Sequence, residues 1–275
     1  MKNKTLWTDT DGKPIQAHGG MILQHECTYY WYGENKDTAT VNRHVDFIGI
    51  SCYSSKDLEN WKNEGIVLSP FVNDPAHMLY TKNICERPRV LYNKSTKQFV
   101  MYTHADTADY YYAGVNVAVA ASPTGPFVWL KSFQPNRQDS RDMTLLQEQD
   151  GSAWLIHSAN YNKTMNIARL SDDYLDVTGS YVSIFQDQER EAPAVMYSHN
   201  RYYMITSGCS GWEPNPSLYG ICDHLIGPWK LIDNPCTGPS YRTTFDGQGT
   251  CIFHVQEQPY ILLDHWHPDD LRSST

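Results

Sequence analysis

Two glutamates sit in matching contexts. Cys85-Glu86-Arg87-Pro88-Arg89 and Arg190-Glu191-Ala192-Pro193 each place a carboxylate two residues before a proline, directly ahead of an apolar run. Three other segments precede comparable runs: Pro14-Ile15-Gln16-Ala17-His18-Gly19-Gly20, Ser140-Arg141-Asp142-Met143 and Asp246-Gly247-Gln248-Gly249-Thr250. A lone glutamate before X-Pro is usually a turn residue. Two at equivalent places in a repeating chain suggest a shared task. Sequence-distant carboxylates converging on one axis suit cleavage of a glycosidic bond. One carboxylic acid protonates the leaving oxygen, and a second polar group activates water on the opposite face of the sugar.

Those groups must be positioned by strands. Helical periodicity is nearly absent. Short β-forming runs recur instead, anchored on Tyr30, Phe99, Trp154, Tyr203 and Tyr260, and turn residues precede most of them. After each of the first four anchors comes a strand, a polar turn and another strand: Ile48–Ser51 to Leu58–Trp61, Val117–Ala120 to Gly125–Trp129, Asn166–Arg169 to Val177–Tyr181, and Tyr219–Cys222 to Gly227–Trp229. About five units of roughly 50–60 residues, each with about four strands, predict an all-β, five-bladed β-propeller with four-stranded blades around a central channel. A β-sandwich would show about seven to nine strands in about 100 residues. Residues 1–275 read as one propeller domain whose last blade is open to truncation, because the fifth anchor has no partner pair after it.

Composition narrows the function classes. The chain has 275 residues, 40% hydrophobic and 19% charged, too apolar for a disordered chain. Its net charge of −9 disfavours a nucleic-acid surface. No run approaches the roughly 18 apolar residues of a membrane helix. Nineteen Tyr and eight Trp supply strand formers and flat apolar faces; most of the tyrosines read as strand core. Seven dispersed cysteines lack a C-x-x-C pair, so no metal site is implied. They read mostly as buried free thiols, with Cys209/Cys222 and Cys236/Cys251 as conceivable bridges. The start Met1-Lys2-Asn3-Lys4-Thr5 shows no apolar leader. No cofactor is expected, and a monomer is.

The chain resembles glycoside hydrolase family 43, a family of five-bladed propellers and inverting enzymes, and within it the exo-β-1,3-galactanases. The motifs run in order through the chain: Trp7–Gly12 with Pro14–Gly20, Trp31-Tyr32-Gly33-Glu34, Glu86-Arg87-Pro88, Ser140–Met143, Arg190–Ala194 and Thr206–Trp212. The resemblance implies that Glu191 is the general acid and that Asp142 tunes it and orients the sugar. Most of the family has a base aspartate at the start of blade one. Here that place reads Gln16-Ala17-His18, as in the galactanase branch. Two substitutes follow from the resemblance, Glu86 and Gln248. An amide is scarcely basic, so the favoured reading has Gln248 positioning the water and Glu86 binding sugar hydroxyls.

Further sugar contacts implied are Glu34, Arg87, Tyr112 or a neighbour in Tyr110-Tyr111-Tyr112, Asn160, Ser210 and a stacking Trp212. Gln16 and His18 join this list, His18 with an equal reading as a hydrogen-bonded structural group. His157, His265 and His267 are assigned to packing or surface. The expected ligand is β-1,3-galactan as polysaccharide or oligosaccharide, which implies a secreted or periplasmic location. Two alternatives stand beside this: an α-L-arabinofuranosidase or β-xylosidase of the same family, and a non-catalytic sugar-binding propeller.

Overall fold

Antiparallel hairpins account for nearly all the regular structure. A computed structural model describes residues 5–274; the leaderless reading of residues 1–4 lies outside them. The first sheet is β1 (His18–His25), β2 (Thr28–Glu34), β3 (Ile50–Ser55) and β4 (Lys62–Leu68). The second is β5 (Ile84–Asn93), β6 (Gln98–Asp106), β7 (Gly114–Ala120) and β8 (Val128–Phe133). The third is β9 (Met143–Gln147), β10 (Ala153–Ala159), β11 (Thr164–Leu170) and β12 (Val177–Ile184). The fourth is β13 (Arg190–Ser198), β14 (Arg201–Gly208), β15 (Leu218–Cys222) and β16 (Lys230–Leu231). A last sheet has only β17 (Gln248–Val255) and β18 (Gln258–Asp264).

The architecture is therefore an all-β propeller, but not the five four-stranded blades expected from the repeats. Four blades are four-stranded, and a two-stranded hairpin stands after them. After Asp264 the chain reads His265-Trp266-His267-Pro268-Asp269-Asp270, where proline removes a ladder N–H and paired aspartates disfavour strand, and Leu271–Ser273 form a short 3-10 turn.

Each blade is meander-ordered, so its first strand is innermost. β1 packs on β5, β5 on β9, β9 on β13, β13 on β17 and β17 on β1. Strands covered on both faces lose the apolar–polar alternation: β6 is buried from Phe99 to Asp106, whereas the outer strand β12 has no buried residue. Apolar clusters fill the gaps between blades. Tyr32, Phe47, Val90 and Met101 join the first two, and Tyr102, Val117, Leu155 and Tyr174 join the second and third. Ile156, Met165, Val195 and Met204 join the third and fourth, while Ile22, Trp31, Cys251 and Leu262 join the first blade to the hairpin. Neither conceivable disulfide forms; all seven cysteines are free, four of them buried.

Two devices aim the inner strands at the hub. The first is a bulge near the start of a strand: between His18 and Met21, Glu86 and Arg89, Glu191 and Ala194, and Gly249 and Cys251. A bulge breaks the alternation and redirects the side chains beside it. In the second and fourth blades the residue after the glutamate is left-handed, Arg87 at φ 50° and Ala192 at φ 52°. The matching place in the first blade is Gly19 at φ 58°, where a Cβ would lie 2.3 Å from Glu34 Oε1. Here glycine answers both the backbone and the close approach of a carboxylate.

The second device is Arg89, which is 1% exposed. It donates to the carbonyls of Gly19 (2.8 Å), Pro88 (2.8 Å) and Thr250 (2.6 Å), and to Thr144 Oγ1 (3.3 Å). One guanidinium thus ties β1, β5, β9 and β17 together, satisfying its donors with neutral acceptors rather than a counter-ion.

Candidate active site

The hub end of the inner strands gathers the predicted carboxylates. Glu191 opens β13 and pairs in register with Ser207 of β14. Its Oε1 accepts from Gln248 Nε2 at 3.1 Å and its Oε2 from Asn162 Nδ2 at 3.2 Å. Asp142, just before β9, accepts the Ala192 N–H at 3.0 Å and pairs with Arg87 Nε at 2.7 Å. The acid candidate and its neighbouring carboxylate are therefore braced by one backbone step. Burial and the Asp142 charge push the Glu191 carboxyl up to about 7, against the opposing pull of Arg87. A glutamate so placed keeps its proton in about half the molecules at pH 7 and in most of them below pH 6, as a general acid must.

Gln248 uses every hydrogen-bonding position it has. Its oxygen accepts from Arg87 Nη2 (2.5 Å) and Trp266 Nε1 (3.0 Å); its nitrogen donates to Ser207 Oγ (2.9 Å) and Glu191. Guanidinium and indole N–H groups can only donate, so they fix which way the amide faces. An oxygen engaged by two donors, one of them cationic, is a poor proton acceptor.

Glu86 has the opposite surroundings. Its Oε1 accepts from Tyr110 OH at 3.1 Å, and its Oε2 lies 3.4 Å from His104 Nδ1. Burial raises its pKa, but the hydrogen bond and charge of His104, helped by Lys36, outweigh that and draw the group down to about 2. Glu34, 7% exposed, accepts the Arg87 N–H at 3.0 Å and pairs with Lys36 Nζ at 2.6 Å. Glu34, Lys36, Glu86, Tyr110 and Trp212 line a pocket beside this cluster. Trp212 packs edge-on against Trp266, with ring centroids 5.3 Å apart. Asp264, buried, accepts the Gly19 N–H at 2.7 Å and is raised by burial to about 6.

The structure thus brings together Glu191, Asp142, Gln248, Arg87, Glu86, Glu34 and Trp212. It places others elsewhere. Tyr110, not Tyr112, reaches Glu86; the Tyr112 carbonyl accepts from Gln134 instead. Asn162 rather than Asn160 meets Glu191, because Asn160, Tyr161 and Asn162 all take left-handed backbone and turn the loop by two residues. Ser210 is committed to its own loop, through the Glu213 carbonyl and Asn215. Gln16 and His18 are buried and bond to each other at 3.0 Å, Gln16 also reaching the Arg272 carbonyl. His18 therefore takes its structural reading, and burial lowers its pKa to about 3.

Sequence reasoning missed Lys36, His104, Ser207, Asp264 and Trp266. Three of these have a common signal. His104, Ser207 and Asp264 are the register partners of Glu86, Glu191 and Gln248, so pairing each hairpin from its turn outward would have found them. Among the described residues no group of three or more His, Cys, Asp or Glu is arranged to hold a metal ion.

Residues 17–262 match the family model for glycosyl hydrolases family 43. No curated protein sequence matches the chain. Among solved structures, a GH43 β-1,3-galactosidase with galactodeoxynojirimycin is 37% identical at a TM-score of 0.94; the match covers all of this chain and 93% of that one. An exo-β-1,3-galactanase from Phanerochaete chrysosporium with galactose is 34% identical (TM-score 0.92), covering 100% of this chain and 62% of that one. An exo-β-1,3-galactanase from Clostridium thermocellum is 35% identical (TM-score 0.89), covering 100% and 61%. The chain thus spans nearly the whole of the first and about three fifths of the other two.

Proposed function

The chain belongs to glycosyl hydrolases family 43, and from that footing we propose that it is an exo-acting, inverting β-1,3-galactanase that releases terminal galactose from β-1,3-galactan. The observation that carries the reading is the Glu191 carboxyl, held between Gln248 and Asn162 beside Asp142. The names of its similar structures supply the sugar and the linkage.

In this reading Glu191 gives its proton to the glycosidic oxygen as the bond to the anomeric carbon breaks. Water attacks that carbon from the other face and gives up a proton to solvent, from which Glu191 is reprotonated for the next turnover, so a β-linkage yields α-galactose. Asp142 keeps Glu191 protonated until needed and, with Arg87, stiffens the site. Glu86, Glu34 and Tyr110 take the sugar hydroxyls, and Trp212 offers a ring face at the mouth. Gln248 orients the acid, and it orients the water by exchanging one of its four present bonds for it; its committed oxygen does not suit it for taking a proton. A catalytic acid tuned to about 7 is more than sugar binding alone requires. A polymeric substrate favours a secreted or periplasmic protein.

The test is digestion of linear β-1,3-galactan followed by ¹H NMR from the first minutes. Galactose alone, appearing first as the α-anomer, is the expected result. Release of longer oligosaccharides, of the β-anomer first, or of nothing overturns the proposal.

A further inference from the structure

Glu86 has a shell of partners that the reaction above leaves without a task. His104 on β6 is its register partner across the hairpin. Asp106, two residues on, shares that face of the strand. His104 Nδ1 lies 3.4 Å from Glu86 Oε2, and Nε2 lies 3.2 Å from Asp106 Oδ2. The ring is 2% exposed and Asp106 is 0% exposed. The other Asp106 oxygen accepts the backbone N–H groups of Thr107 and Ala113, both at 2.9 Å. Those bonds fix the aspartate as an acceptor and close the loop that carries Tyr110. With a carboxylate oxygen at each ring nitrogen, a neutral imidazole would set a lone pair against one of them. An imidazolium offers an N–H to Asp106 and sets its charge 3.4 Å from Glu86, a contact that is an ion pair and not a formed hydrogen bond.

We propose that His104 is a positioning residue for the sugar site: an imidazolium clamped between Asp106 and Glu86 that keeps Glu86 ionised and turned toward the galactose hydroxyls. The proposal rests on the reading that Glu86 faces the sugar. Lys36 and Glu34 at the end of the first hairpin face Glu86, as do His104 from β6 and Tyr110 from the loop. The adjacent Cys85 thiol is pushed by burial up to about 12 and stays neutral. His104 faces Asp106, Glu86 and the Tyr110 ring (centroids 6.1 Å apart); its register partner on β7, Val115, brings no charge. Burial lowers an imidazole pKa, yet the bond to Asp106 and the nearby Glu86 carboxylate draw His104 up to about 9.

Two measurements test this. In protein labelled with ¹³C,¹⁵N-histidine, the His104 ring should show imidazolium shifts throughout the ordinary histidine range, about pH 6 to 8. A ring that titrates there overturns the inference whether or not the protein cleaves β-1,3-galactan. In kinetics on β-1,3-galacto-oligosaccharides, His104→Gln should lower kcat/KM by about tenfold or more, chiefly through KM, the scale of a lost charged hydrogen bond. Its acidic limb should move to higher pH as Glu86 becomes easier to protonate. In a Glu86→Gln background the same substitution should add less than about twofold. An equal loss in both backgrounds overturns the proposal, since a scaffold role is indifferent to the charge of Glu86. If His104→Gln does not fold, Asp106→Asn in the labelled protein decides: the His104 ring should begin to titrate below about pH 8, and an unmoved ring counts against the clamp.

Discussion

Glu86 and Glu191 share a backbone setting and have opposite chemistry. Each opens an inner strand, lies at a bulge and precedes a left-handed residue, Arg87 or Ala192. Each is largely buried, and burial alone raises both. Yet Glu86 is drawn down to about 2 and Glu191 up to about 7. The difference lies in the register partner and its neighbours. Across from Glu86 stands His104, with Lys36 near; across from Glu191 stands the neutral Ser207, with the Asp142 carboxylate near. One repeated hairpin start therefore makes a permanent carboxylate in one blade and an acid in another. Repetition supplies the position, and cross-strand chemistry decides the role.

Three substitutions probe that contrast, in falling order of effect on activity. Glu191→Gln should lower kcat by roughly 10³-fold, the scale of a lost general acid, while galactose affinity measured calorimetrically stays within a few-fold. Activity above a tenth of the starting value would remove Glu191 from the acid role. Glu86→Gln should cost on the order of 10- to 100-fold in kcat/KM, mostly as KM. A loss lying mainly in kcat would instead move Glu86 from holding the sugar to activating the water.

Asp142→Asn should act through Glu191. With its negative neighbour gone and Arg87 still present, the Glu191 pKa falls, and the alkaline limb of kcat should move to lower pH with a loss of about several-fold at neutrality. An unmoved limb would mean that Asp142 serves geometry alone.

Stability gives a reading separate from activity, and here the two glutamates should differ in sign. Glu191 is raised from the ordinary 4.5 to about 7. Its contribution is complete below pH 4.5 and is lost as pH rises to about 7, on the order of 3 kcal/mol. Glu86 is lowered from 4.5 to about 2, so its contribution is present above 4.5 and disappears as pH falls toward 2. Thermal melts of the parent against Glu191→Gln and Glu86→Gln should thus diverge in opposite directions across these windows. Parallel curves would contradict the assigned charge states.

Much of the architecture was legible because it is local. Aromatic runs and turn residues at a regular interval marked the hairpins, and the residues before Pro88 and Pro193 marked the strand starts that carry Glu86 and Glu191. The expected fourth strands began too early: Leu58–Trp61 and Gly227–Trp229 lie outside any strand, with β4 and β16 starting at Lys62 and Lys230. The count of five four-stranded blades was overread, although the lack of a strand pair after Tyr260 had already marked the last unit as short. The choice of Tyr110 within Tyr110-Tyr111-Tyr112, and of Asn162 over Asn160, is set by left-handed loop backbone, which residue type alone does not encode.

Residue identity and spacing thus settled which side chains stand at the inner strand starts, because a hairpin is specified by its own turn and alternation. Charge state was decided across the hub. Arg87 meets Asp142, Glu34 and Gln248, and Arg89 ties four inner strands, through contacts among residues far apart in the chain. Proton affinity follows from burial and from the sign of those neighbours, and neither exists until the ring of blades has closed.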